Sequence, residues 1–449
     1  MKHIHLFFAV MAAAIAASCG NPTTADLNPG STVKVKCPSE NFRLTCQVMT
    51  DGTSAADLLF ASDGTSGYEV RFHGGAIDGT TKTGSLTGIR NRYRSIVPDN
   101  EWFNFELAVR GKNISVKLND IEVVCYTEPE KPFRINEYSG MLLGKGECYF
   151  KGSIGLTKVK DIKISTLPEG EKNPSDTLPP VDEQSDKVIR LQQQGFPVID
   201  YHVHLKGGLT KEIAWGRSLN YGINYGVAPN AGEGGDGRMY ATDEELYEYI
   251  DDVKLSPFLY GVQGEGRKWI TTVKPETLSA FEYLFTDAMT IVDKKGKITR
   301  LYHPEEINLY GMNEEQYMDY IVDQTVKILT NEPADFYANP TYLPDAMQKD
   351  YEKLWTPERV DKVLDVLEKY HMALEINARY RIPSFDIIKR AKARGIKFTF
   401  GTNNMGADNL GRLEYCFEAI DSCGLKPDDI WFPSMSIRST RKAVNYNNF

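Results

Sequence analysis

The residues best equipped for chemistry stand together in one short stretch, Asp200-Tyr201-His202-Val203-His204. A strand period of two puts Asp200, His202 and His204 on one face, and Ile199, Tyr201, Val203 and Leu205 on the other. Two imidazoles side by side on a strand can hold a divalent metal such as Zn, Mn or Fe, with a neighbouring carboxylate to orient or complete the site. Further polar groups fall at the ends of later apolar runs. Glu265 sits between glycines in Gly261-Val262-Gln263-Gly264-Glu265-Gly266, and Asp287 closes Phe285-Thr286-Asp287. Glu375, Asn377 and Arg379 alternate along one face, and two amides, Asn403 and Asn404, follow Thr402. Of these, His204, Glu265, Asp287, Glu375 and Arg379 are the candidate catalytic groups. Lys206, beside Gly207-Gly208, is a candidate substrate contact together with Asn339, Asn377 and Asn403. His303 and His371 rank behind the paired histidines, in a loop and at the outer end of a strand.

These residues need a scaffold that brings strand ends together. From residue 187 to 449, apolar runs at 197–205, 223–228, 258–265, 283–291, 335–343, 372–378, 397–402 and 429–434 read as strands. Helical patterns separate most of them, as in Val360-Val363-Leu364-Val366-Leu367. Seven or eight such units predict a TIM-like barrel, whose sites lie at the C-terminal ends of its strands. The apolar face of the first strand is then expected against the helices and the Asp-His-His face inside.

The first half of the chain follows a different rule. Residues 31–166 are short alternating runs broken by Gly, Asn and Asp, with Gly111-Lys112 and Asn119-Asp120 placed as hairpin turns. This predicts an all-β sandwich of jelly-roll type. Residues 167–186 are proline-rich and charged and read as a semi-extended linker. Residues 1–19 join Lys2, an apolar run from Leu6 to Ala17 and Ala16-Ala17-Ser18-Cys19. Such a run is too short to span a bilayer, and it fits a lipoprotein signal peptide with lipidation at Cys19. Residues 20–30 would be the tether. The expected location is the cell envelope, anchored to the membrane and facing the periplasm. There Cys37, Cys46, Cys125 and Cys148 could pair in any of three ways, whereas Cys416 and Cys423 read as buried thiols.

Composition narrows the functional classes. The 449 residues carry 52 Lys plus Arg against 61 Asp plus Glu, a net charge of -9 with no basic block. That argues against nucleic acid as a partner.

Gly67-Tyr68-Glu69-Val70, Thr83-Gly84-Ser85-Leu86, Glu101-Trp102-Phe103-Asn104, Leu118-Asn119-Asp120, Gly152-Ser153-Ile154-Gly155-Leu156 and Val159–Ile164 resemble the 3-keto-disaccharide hydrolase family. The resemblance implies a concanavalin-like jelly roll associated with keto-sugar glycosides. Asp200 to His204, Glu265, Asn339-Pro340, Leu374-Glu375-Ile376-Asn377 and Gly401-Thr402-Asn403-Asn404 resemble the PHP superfamily of metal-dependent hydrolases. That resemblance implies His202, His204 and Glu265 as metal ligands. The chain departs from it where Asn339, Asn403 and Met405 replace two imidazoles and a carboxylate.

The leading expectation is an envelope lipoprotein hydrolase, metal-dependent and acting on a carbohydrate-derived substrate. Two others stand beside it: a glycan-binding lipoprotein with a degenerate barrel, and glycoside hydrolysis carried by the sandwich.

Overall fold

The computed structural model describes residues 21–76, 81–168 and 181–433. The signal segment, Cys19 and most of the linker lie outside them.

The N-terminal unit is a sandwich of two antiparallel sheets. One has six strands in the order Thr24–Leu27, Thr157–Thr166, Phe42–Met49, Phe103–Arg110, Asn113–Leu118 and Ile121–Thr127. The other has four: Thr32–Val35, Glu147–Ile154, Ala55–Ser62 and Tyr68–His73. Alternation drives their formation. Along Phe42–Met49 every second residue is buried, and Phe72 meets Phe105 across the two sheets with ring centres 4.9 Å apart. Asn119 and Asp120 both take left-handed backbone, with φ of 47° and 66°, as a two-residue hairpin turn requires. Thr24–Leu27, expected within the tether, instead forms an edge strand. The end of the expected linker is also anchored. Glu183 accepts a hydrogen bond from the Phe133 amide at 2.8 Å, pairs with Arg134 at 2.8 Å and accepts from Tyr126.

The C-terminal unit is a closed barrel of seven parallel strands: Ile199–Val203, Asn224–Val227, Leu259–Gly264, Tyr283–Asp287, Phe336–Ala338, Ala373–Asn377 and Phe398–Gly401. Each pairs with its neighbours in chain order, and the first closes the ring on the seventh. The expected eighth strand at 429–434 does not form. Ile430 makes a single bridge to Phe398, and Trp431 turns into the barrel floor. Helices are fewer than a TIM barrel carries. Only two short ones, Trp269–Thr272 and Pro275–Ser279, separate the third and fourth strands. The expected strand 335–343 stops at Ala338 because Asn339 and Thr341 adopt positive φ of 43° and 64°.

The floor of the barrel is aromatic. Tyr201, Tyr283, Phe285, Phe336 and Trp431 fill it, and Tyr93, from a sandwich loop, joins the same cluster. The Tyr93 hydroxyl donates to Phe196 O at 3.2 Å and accepts from Val198 N at 3.1 Å. Neighbouring arginines hold the loop in place. Arg92 donates to Ser218 Oγ at 3.0 Å, and Arg94 reaches Glu282 at 2.9 Å and the Ser256 carbonyl at 2.8 Å. Ile189 of helix Lys187–Gln193 packs into the sandwich core, while Val188 and Leu191 pack into the barrel. Replacing Tyr93 by Ala should therefore remove both a buried ring and the inter-domain lock. Denaturant unfolding is expected to show a loss of about 3–5 kcal/mol; a loss below about 1 kcal/mol would mean that the loop is not holding the floor.

Candidate active site

The first strand does not keep the expected alternation. Asp200 pairs with Tyr225, but the next register point is Val203 with Val227, so one residue is extra on the first strand. This bulge places consecutive residues, Tyr201 and His202, on the inside. Tyr201 stacks in the floor 5.3 Å from Tyr283, and His202 lies 4.9 Å from Phe285. The expectation that Ile199 and Tyr201 face the helices is therefore corrected; of that set, Val203 packs in the core shared with the helices. Asp200 leaves the histidine face. It accepts from Thr402 Oγ1 at 2.6 Å and Thr402 N at 3.0 Å, and burial raises its carboxyl to about 6.

Above the floor is a layer of polar side chains with almost no access to solvent. His202 Nδ1 is 2.7 Å from Glu375 Oε1, and its Nε2 is 3.0 Å from Gln263 Oε1. The Gln263 amide then donates to Asp287 Oδ2 at 2.9 Å, which fixes its orientation. Asn339 donates from its backbone to Glu375 Oε2 at 2.6 Å and from its side chain to Asp287 Oδ2 at 3.1 Å. Asn339 Oδ1 in turn accepts from Asn377 at 2.9 Å and Asn403 at 3.0 Å. Gly401 makes room for the His202–Glu375 contact: a Cβ there would stand 2.1 Å from Glu375 Oε1 and 2.8 Å from His202 Cβ.

Closer to solvent are His204 and Glu265. His204 Nδ1 is 2.8 Å from the Ala228 carbonyl, so the proton sits there and Nε2 keeps its lone pair. Burial first, then the charges of Lys206 and His202, hold its pKa well below the usual value. Asn404 fixes the backbone of this residue, accepting from its amide at 2.7 Å and donating to its carbonyl at 2.9 Å. Glu265 accepts a hydrogen bond from the Tyr302 hydroxyl at 3.0 Å. Burial, helped by the negative charge of Asp287, lifts its carboxyl to about 7. Gly235 lies directly on it, since a Cβ would come within 2.6 Å of Glu265 Cδ. Asp287 is also raised by burial, opposed by Arg267, which donates to its carbonyl at 2.9 Å and pairs with Glu332 at 2.8 Å.

The remaining candidates stand apart from this layer. Lys206 is exposed, near the charges of Glu265, Arg379 and Asp236. Arg379 is exposed beyond the sixth strand, stacked 4.8 Å over Tyr380 and donating to Asn403 O at 3.1 Å. His303 bonds Asp236 and Glu305, both at 2.9 Å, outside the layer. His371 caps helix Pro357–Tyr370 at the other end of the sixth strand. Left-handed backbone gathers at the polar end, with Arg267 at φ 64°, Asn339 at 43°, Thr341 at 64° and Asn403 at 42°. Each costs about 1–3 kcal/mol, and such residues cluster where function holds them.

The donor set does not fit a resident divalent metal. Both ring nitrogens of His202 are already engaged, Nδ1 with Glu375 Oε1 and Nε2 with Gln263 Oε1, so a cation would have to displace one of these contacts. His204 is anchored through Nδ1 to the Ala228 carbonyl, and the Gln263 side chain also hydrogen-bonds it. Among the described residues no group of three or more His, Cys, Asp or Glu could hold a metal ion.

Other features lie elsewhere. A groove of about 700 Å³ beside helices Lys211–Tyr221 and Glu414–Cys423 contains none of the polar layer. Of the cysteines open to pairing, Cys37 and Cys148 have sulfurs 3.2 Å apart, while Cys46 and Cys125 are buried separately. Cys416 and Cys423 are buried thiols, as expected.

Residues 18–165 match the family of the 3-keto-alpha-glucoside-1,2-lyase-like domain. The N-terminal third thus carries a 3-keto-disaccharide hydrolase-like domain. Solved structures similar to this region include a proposed glycosyl hydrolase from Parabacteroides distasonis, at 12% identity over 32% of this chain and 81% of that one, with a TM-score of 0.28. The carbohydrate-binding module CBM66 from Bacillus subtilis is 13% identical over 31% and 83%, with a TM-score of 0.21. A galectin from Caenorhabditis elegans is 16% identical over 32% and 96%, with a TM-score of 0.20. No curated protein matches the chain.

Sequence reasoning passed over Gln263, Tyr302, Arg267 and Gly235. Gln263 was within reach, because a period of two from Glu265 places it inside. Tyr302 and Gly235 belong to loops distant in sequence, which carry no periodic signal.

The raised Glu265 carboxyl has a consequence for stability. Its folded pKa of about 7 exceeds the ordinary 4.5, so the folded state holds a proton that the unfolded chain releases. This contribution is fully present below 4.5 and is lost as pH rises towards about 7. Unfolding followed across that window should show a decline in the wild-type protein that Glu265→Gln removes. Parallel profiles for the two proteins would exclude the assignment.

Proposed function

We propose that the chain is a carbohydrate-directed hydrolase whose barrel performs acid–base chemistry without a bound metal. The observation that carries this reading is a carboxyl raised to about 7, Glu265, in the same mouth as the neutral imidazole of His204. Environments that separate two titrating groups in this way set an acid beside a base. The 3-keto-alpha-glucoside-1,2-lyase-like domain in the first third supports a sugar-derived substrate. In the step we propose, His204 Nε2 takes a proton from water as its oxygen bonds the anomeric carbon. The carbon–oxygen bond to the leaving group breaks, and Glu265 gives its proton to that oxygen. Lys206 and Arg379, both exposed beside the mouth, would hold the substrate's hydroxyls.

Reading the chain as a glycan binder without turnover draws on the amides. Asn377 and Asn403 both donate to Asn339 Oδ1, and an amide stands at each of these three positions where an acid or base could have stood. One assay separates the two readings. Release of aglycone from nitrophenyl glycosides and their 3-keto derivatives should fall about 10²–10⁴-fold in His204→Ala and in Glu265→Gln. Chelation with EDTA should leave wild-type turnover unchanged. Loss of turnover on chelation, with recovery on added Zn or Mn, would overturn the metal-free step; unchanged rates in both variants would overturn the site.

We also propose that the protein is lipidated at Cys19 and held in the cell envelope, facing the periplasm. The small residues before this cysteine and the apolar run preceding them support it. Metabolic labelling with an alkynyl fatty acid in a bacterial host should mark the wild-type protein and spare Cys19→Ser. Equal labelling of both would reject lipidation at this position.

A further inference from the structure

The outer face of the four-stranded sheet carries a second polar cluster, far from the barrel in sequence. Glu69, Arg71 and His73 alternate along Tyr68–His73, and Asp57 stands opposite Arg71 on Ala55–Ser62. Arg71 Nε is 3.4 Å from Glu69 Oε1 and 3.9 Å from Asp57 Oδ1, and His73 Nε2 is 3.7 Å from that same Asp57 oxygen. Asp57 Oδ1 is nevertheless buried with no hydrogen-bond donor among the described residues. Glu69 uses one oxygen only: Oε1 accepts from Thr87 Oγ1 at 2.9 Å and from Arg71, and no donor among the described residues reaches Oε2. Burial, with the charge of Asp57 adding to it, raises the Glu69 carboxyl.

Beside Glu69 is a cleft of about 150 Å³, lined by Ser66, Gly67, Thr87, Tyr138 and Met141 among others. Gly88 holds the Tyr138 ring close, since a Cβ there would come within 2.8 Å of Tyr138 Cε1. The cleft thus offers an aromatic face, hydroxyls and an unused carboxylate oxygen in a space the size of one ring. Two carboxylates, Glu69 and Glu137, line the cleft with no cationic side chain among the described residues of its walls, which disfavours an anion. A neutral polyhydroxylated ring satisfies the acceptors and lays its C–H face on tyrosine.

We infer that this cleft is a binding site for one neutral sugar unit, separate from the barrel. The inference rests on the reading that the chain acts on carbohydrate, and its test distinguishes the two.

Methyl α- and β-glycosides of glucose, galactose and mannose, titrated into the full-length protein, are the probes. Saturation-transfer NMR and calorimetry are expected to show saturable binding. Affinity should weaken roughly tenfold or more in Glu69→Ala and in Tyr138→Ala, and remain unchanged in Glu265→Gln. Glu69→Gln keeps the shape and serves as the folding control by circular dichroism. Binding that survives both sandwich substitutions, or binding lost only in Glu265→Gln, would overturn this site and leave the barrel reading standing. Binding lost at Glu69 together with an inert barrel would support this site and remove the other. Absence of saturable binding to the wild type by every probe would overturn the sandwich site outright.

Discussion

The interior of the barrel depends on the contact between His202 and Glu375. Both side chains are fully buried, and the atoms meet at 2.7 Å. Burying a carboxylate and an imidazole away from water is costly unless their hydrogen-bonding atoms find partners inside the protein. That condition is met here. Glu375 Oε2 receives the Asn339 amide at 2.6 Å and Asn377 Nδ2 at 3.0 Å, and His202 Nε2 faces Gln263. The amides around the pair are therefore structural as well as polar. Each one fixes the orientation of the next, so Asn339 adopts left-handed backbone to point its N–H at the carboxylate.

The pair is held from below by aromatic packing that the barrel does not complete alone. His202 rests on Phe285, and Phe285 stacks on Phe336 at 4.9 Å. Tyr93 from the sandwich joins the same cluster. The sandwich is thus part of the barrel's floor, and the buried arginine Arg92 lies 5.0 Å from the Trp215 ring on the barrel side. One continuous set of packed contacts thus runs from the Tyr93 loop through the floor to the polar layer.

Much of this scaffold was legible in the sequence. Alternation and turn residues predict the sandwich, and the first seven expected strands coincide with the seven of the barrel. What escaped has physical reasons. The register of Asp200 to His204 fails because one inserted residue reverses the alternation, and a bulge has no composition signal of its own. The eighth strand fails because Trp431 is apolar for the sake of the floor. Among the candidates, His202, Glu375, Asp287, Asn339, Asn377 and Asn403 converge in one network, whereas Arg379 and Lys206 stay at its rim. A strand pattern places a residue on a face and cannot say how many donors will reach it.

That donor count decides which group remains free to exchange a proton. Asp287 Oδ2 holds two amides, Gln263 and Asn339, and its Oδ1 accepts from Met289 N at 3.1 Å. Glu375 is saturated on both oxygens by His202, Asn339 and Asn377. Asp200 is taken up by Thr402 and the His202 amide. Glu265, in contrast, has only the Tyr302 hydroxyl among the described residues. With one donor to stabilise its anion and a low-dielectric surrounding, its neutral form persists to about 7. His204 is held through Nδ1 by the Ala228 carbonyl and is also in hydrogen-bonding reach of the Gln263 side chain. The saturated layer beneath therefore leaves the two groups at the mouth, Glu265 and His204, as the ones with the fewest partners.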